Sequence, residues 1–149
     1  MYLLGLKNVS TQTVLADGAI QLTDSGSYRR NCRRNVNGVR VFDITNTSVS
    51  LNWQGMYHIT ATLVGTGTEA GDVTVQLYQN GNPITGAIST QTITTADTEF
   101  RTFVIDYYIL VDDTCVLGCN SPLIQTLSLE NTGVGATFTS VVFNVEKVV

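Results

Sequence analysis

Apolar residues recur at every second position over most of this chain. Tyr57, Ile59, Ala61 and Leu63 alternate with polar neighbours, and Val73, Val75 and Leu77 do the same after a Gly/Thr-rich stretch. A period of two is what a strand with one buried face requires. Strands are predicted over residues 13–15, 19–22, 39–44, 47–51, 57–64, 73–78, 84–93, 100–111, 123–130 and 137–145. Between them lie turn clusters such as Asp17-Gly18, Asn52-Trp53-Gln54-Gly55 and Asn131-Thr132-Gly133. Asn80-Gly81 supplies the residues that tolerate positive φ in the tight turns of antiparallel strands. No ten-residue stretch places apolar groups at i, i+3, i+4 and i+7, so the chain reads as all-β, a two-sheet antiparallel sandwich or jelly roll.

Two strands are apolar on both faces. In residues 100–111, Phe103, Ile105, Tyr107, Ile109 and Val111 form one face, and Val104, Tyr108 and Leu110 accompany Asp106 on the other. In residues 137–145, Val141, Phe143 and Val145 oppose Phe138 and Val142. Both faces of such strands need cover. By contrast, residues 73–78 carry Thr74 and Gln76 on the second face, as expected of a solvent-exposed outer sheet. Residues 1–12 lack clean periodicity and are expected to form an N-terminal arm that orders against a partner, or else a loose terminus or first edge strand. Residues 13–149 then form one jelly-roll domain.

Composition fits this picture. Only 13% of the 149 residues are charged, and β-branched and small polar residues dominate. The net charge of −4 argues against nucleic-acid binding. Five of the eight basic residues are Arg29, Arg30, Arg33, Arg34 and Arg40, so one basic patch sits on an acidic body. Guanidinium groups suit an acidic partner surface or carboxylates of a neighbouring subunit, while the bland reading is a solvated loop. The opening Met-Tyr-Leu-Leu-Gly-Leu is too short for a signal-peptide core and no run reaches membrane-spanning length, which implies synthesis in the cytoplasm.

The chemistry-bearing residues are few. His58 is the only histidine, so a nucleophile would have no other imidazole as base, and an interface or core role is expected instead. Cys32, Cys115 and Cys119 form an odd set, read as free thiols or as a disulfide of Cys32 with Cys115 or Cys119. With His58 they make a poor zinc set. Asp112-Asp113 reads as an exposed acidic turn rather than a calcium site. Gly65-Thr66-Gly67 reads as a hairpin loop rather than a phosphate cradle. No cofactor, metal or catalytic residue is predicted. Trp53 is expected as a packing plug at a corner.

A more specific resemblance rests on several segments: the Gly55-Met56-Tyr57 strand entry, the strand ending in Asn80-Gly81-Asn82-Pro83-Ile84 with Gly86, the long apolar strand, and the closing Leu-Ser-Leu-Glu-Asn-Thr-Gly before a valine-rich strand. Together they resemble the trimeric jelly roll of the tumour-necrosis-factor and complement type. Arg29-Arg30-Asn31-Cys32 and Cys119-Asn120-Ser121 are similar to segments of small bacteriophage and prophage structural proteins with that fold. The likeness spans residues 11–149.

The resemblance implies that residues 57–64, 100–111 and 137–145 share the inner sheet, whose outer face lines a threefold axis. The residues expected there are His58, Thr62, Tyr108, Leu110, Phe138 and Val142. It further implies a non-enzymatic virion protein, a homotrimeric capsid decoration or head-fibre component. Arg29, Arg30, Arg33, Arg34 and the arm would attach it to capsid or another virion protein, with no membrane partner. The alternative is a receptor-binding module for bacterial surface glycan, with Trp53, Tyr78 and the 65–72 loop as contacts.

Overall fold

The computed structural model describes residues 2–23, 28–30, 40–111 and 124–148, the backbone alone for 28–30. The alternating segments become strands of two antiparallel sheets, with no helix among the described residues. Sheet one contains β1 (Tyr2–Asn8), β2 (Gln12–Val14), β4 (Tyr28–Arg30), β7 (Gly55–Gly67), β10 (Arg101–Val111) and β12 (Ala136–Lys147). Its order is β10-β7-β12-β1-β4, with β2 also paired to β12. Sheet two contains β3 (Gly18–Ala19), β5 (Phe42–Ile44), β6 (Ser48–Leu51), β8 (Gly71–Gln79), β9 (Asn82–Ile93) and β11 (Gln125–Asn131). It is ordered β5-β6-β11-β8-β9, with β3 on β11. The expected grouping of residues 57–64, 100–111 and 137–145 in one sheet is what forms, and residues 73–78 stand in the other.

The core lies between the sheets and is filled by the inward half of each alternation. Tyr57, Ile59, Ala61 and Leu63 from β7 meet Val73, Val75 and Leu77 from β8, all fully buried. Phe103, Ile105, Ile109 and Val111 close one side. Tyr57 packs edge-on against Phe42 and donates its hydroxyl to the Trp53 carbonyl at 2.6 Å; burial pushes its pKa up to about 12. Trp53, half-buried against the core, meets Tyr2 edge-on, a packing role at the corner.

β8 and β9 are joined by Asn80 and Gly81 at φ of 52° and 79°, the positive values that let a two-residue turn follow the twist of its strands. β7 and β8 instead belong to different sheets, so the three residues between them cross the edge of the sandwich.

Three expectations are corrected. Residues 2–8 are not an arm. They form β1, bonded to β12 from Tyr2↔Lys147 to Asn8↔Val141 and to β4 on its other side. Leu4 and Leu6 are buried in the core, and the absence of polar neighbours at Leu3 and Gly5 had hidden the alternation.

Phe138 is fully buried, and its ring meets Phe103 edge-on. The register between β12 and β7 shifts between Phe138 and Ser140. The extra residue reverses the parity of the strand, so Phe138 shares the inner face with Val141, Phe143 and Val145. It also needs Gly65 opposite it: a Cβ there would lie 2.6 Å from the Phe138 ring.

The second face of β8 is not open to solvent. Thr74 and Gln76 are only 9% and 7% exposed, and their polar atoms are satisfied in place. Thr74 Oγ1 lies 2.9 Å from Thr90 Oγ1. Gln76 Nε2 donates to the carbonyls of Leu77, Ile84 and Ala87, spanning the register shift between β8 and β9.

Candidate functional site

The outer face of sheet one carries an accessible apolar strip. On β10, Val104, Tyr108 and Leu110 are 57%, 56% and 60% exposed. β10 stands at the edge of its sheet, and the even-numbered side chains of this strand all turn outward. The register sets Val104 opposite Thr62, Asp106 opposite Thr60, Tyr108 opposite His58 and Leu110 opposite Met56 on β7. Further across the sheet, Val142, Asn144 and Glu146 of β12 lie opposite Thr62, Thr60 and His58. β1 adds Leu3 opposite Glu146 and Lys7 opposite Val142. The face is therefore apolar along β10 and becomes polar toward β1.

His58 stands at the boundary between these halves. Its ring stacks on Tyr108 with centroids 4.4 Å apart and planes 10° from parallel. Its Nε2 lies 2.6 Å from Asp106 Oδ1. On the other flank it lines a shallow depression with Leu3, Thr60, Asn144 and Glu146. An imidazole is thus held between two carboxylate-bearing strands. Spacing along the chain could not reveal this pairing, since His58 and Asp106 are 48 residues apart; only the β7–β10 register brings them together.

Of the six residues expected on this face, His58, Thr62, Tyr108, Leu110 and Val142 lie on it, and Phe138 does not. Val104, Leu3 and Lys7 belong to it as well. Val104 shares the parity of Tyr108 and Leu110, as the alternation of residues 100–111 predicts, whereas Leu3 and Lys7 lie on a segment without a clean alternation of apolar and polar residues.

The other candidates do not gather into a second site. Trp53 precedes the start of β7, and the 65–72 loop, shortened to Thr68, Glu69 and Ala70, follows its end. A strand of thirteen residues separates them by about 40 Å at ~3.3 Å per residue. Tyr78 lies on the opposite sheet, in contact with Glu130, and its pKa is raised by slight burial and that carboxylate. Arg29 and Arg30 fall on β4, in register with Leu4 and Leu3. Arg33, Arg34, Cys32, Cys115, Cys119, Asp112 and Asp113 lie outside the described residues. No group of three or more potential metal ligands occurs among the described residues.

The far end of the sandwich is acidic. Backbone bonds from Asp17 to Asn131, Thr68 to Gly135, Asp97 to Gly67 and Val134 to Asp72 tie its loops together. They bring Asp17, Glu69, Asp72, Asp97 and Glu99 to one end, where Arg101 pairs with Glu99.

No protein-family model and no curated protein sequence matches the chain. Solved structures do match in shape. Eiger TNF from S. frugiperda superposes with a TM-score of 0.65 at 11% identity, covering 100% of this chain and 94% of its own. Murine APRIL gives 0.62 at 9% identity, covering 97% and 98%. PRD1 vertex protein P5 gives 0.55 at 16% identity, covering 99% and 97%. At these identities the likeness is one of fold, and the fold of this chain is the tumour-necrosis-factor-like jelly roll.

Proposed function

We propose that this protein is a non-enzymatic structural component of a phage virion, a homotrimer displayed on the particle as a capsid decoration or head-fibre element. The observation that carries the self-association is the apolar strip of Val104, Tyr108 and Leu110. Three large side chains more than half exposed on one edge strand are costly to leave in water. A second copy of the chain covers them without any further gene product. The fold likeness to PRD1 vertex protein P5 supports the virion role. The Arg29, Arg30, Arg33 and Arg34 segment is the proposed contact to an acidic virion surface, since guanidinium groups bind carboxylates in a bidentate geometry.

The reading is tested in two steps. Size-exclusion chromatography with light scattering is expected to give three chain masses for the native protein. A Val104→Asp, Leu110→Asp variant with an unchanged β-sheet circular-dichroism spectrum is expected to give one. A native monomer would sink the trimer. Mass spectrometry of particles purified from the host carrying the gene is expected to find the protein, with loss when the four arginines are replaced by alanine; its absence from native particles would sink the virion role.

A further inference from the structure

We infer that self-association through this face is linked to proton uptake at His58, so that the assembly tightens as pH falls. The inference rests on the proposed self-association and concerns its regulation.

On the free protein, His58 and Asp106 side chains are 24% and 62% exposed, so water solvates the carboxylate. Covering the face with a second copy removes that water from Asp106 and from Glu146, the carboxylate opposite His58 on β12. A desolvated carboxylate without a cationic partner is expensive, and a nearby positive charge offsets the cost. Among the described residues the groups available from the packed elements are few. β10 contributes Asp106 and Tyr108, and β12 contributes Glu146, while Lys147 falls on the opposite parity. β1 contributes Lys7, in register with Val142, one same-face position along the strands from Asn144 and two from Glu146. β4 places Arg30 in register with Leu3, beyond β1. Among the described side chains His58 is the one that lies between the two carboxylates, 2.6 Å from one of them.

Histidine changes charge between about pH 5 and 8. In the covered face its protonated form balances one of two buried carboxylates, whereas the neutral form balances neither. The assembled state therefore holds more protons than the separated chains. By linkage, each protomer that takes up one proton on assembly changes the association constant by up to about tenfold per pH unit, in the direction of tighter assembly at lower pH.

Sedimentation velocity at about pH 5.5 and about pH 8 reads this directly. The native protein is expected to shift toward separated chains at the higher pH. His58→Gln, checked for folding by circular dichroism, is expected to assemble without that dependence, and Asp106→Asn to show a shallower one. If the native trimer stays whole at the lowest measurable concentration, exchange between copies labelled with two fluorophores is expected to be slower at the lower pH.

A trimer with no pH dependence, one that tightens as pH rises, or one whose dependence survives His58→Gln overturns the inference and leaves the self-association reading standing. A monomer at every pH overturns that reading and the inference with it.

Discussion

Glu99 latches the turn from β9 into β10. Its Oε2 accepts from the Thr94 backbone N–H at 2.7 Å, the Thr94 hydroxyl at 2.8 Å and the Thr95 N–H at 3.1 Å, and its Oε1 pairs with Arg101. The Thr94 hydroxyl and the two backbone donors hold the carboxyl far below its ordinary 4.5, at about 2. A carboxylate whose pKa is depressed by folding stabilises the fold above the unfolded value, and that contribution disappears as pH falls through the folded one. Glu99→Gln is expected to lower the thermal midpoint modestly at neutral pH, because the group is solvent-accessible and water screens it. The difference from the native protein should vanish between about pH 4.5 and 2. Calorimetric melts across that range check it, and a pH-independent difference would mean that the hydrogen bonds act through shape alone.

β12 shows how one added residue decides what a strand presents. Plain alternation puts Phe138 on the same face as Val142; the register shift before Ser140 sends it to the other. Phe138→Ala is therefore expected to cost about 3–5 kcal/mol of folding stability, the usual range for emptying a buried phenylalanine site. Val142→Ala, half-buried on the outer face, should cost far less in the separated chain. Urea unfolding of both variants on the Val104→Asp, Leu110→Asp background, expected to be monomeric, separates folding from assembly, and equal losses would place Phe138 outside the core. The polar face of β8 teaches the same lesson in reverse. Thr74 and Gln76 look like solvent positions, yet they are buried and their hydrogen bonds are made in place.

At the scale of the whole molecule, the N-terminal strand belongs to the domain. Burying Leu4 and Leu6 contributes about 1.5–3 kcal/mol each, against a total stability for such domains of about 5–15 kcal/mol. β1 also covers the edge that β12 would otherwise leave open. Deleting residues 1–8 is expected to give an unfolded or aggregated product by circular dichroism and light scattering. A soluble, cooperatively melting deletion variant would overturn that expectation. The same packing adds Leu3 and Lys7 to the outer face, so the segment shapes the proposed association surface from within the sheet.

The sequence by itself determined the class of fold, the assignment of most strands and which of them are apolar on both sides. These features are written in periods of two and in turn residues such as Asn80-Gly81, each a local property of the backbone. It also marked β10 as the strand with large side chains to spare. Only the tertiary structure decided that Phe138 turns inward, that residues 2–8 lie inside a sheet and that Thr74 and Gln76 are covered. It alone brought His58 to Asp106 and Tyr108. Those outcomes depend on register and on neighbours far away in the chain, and alternation along a single strand carries no information about either.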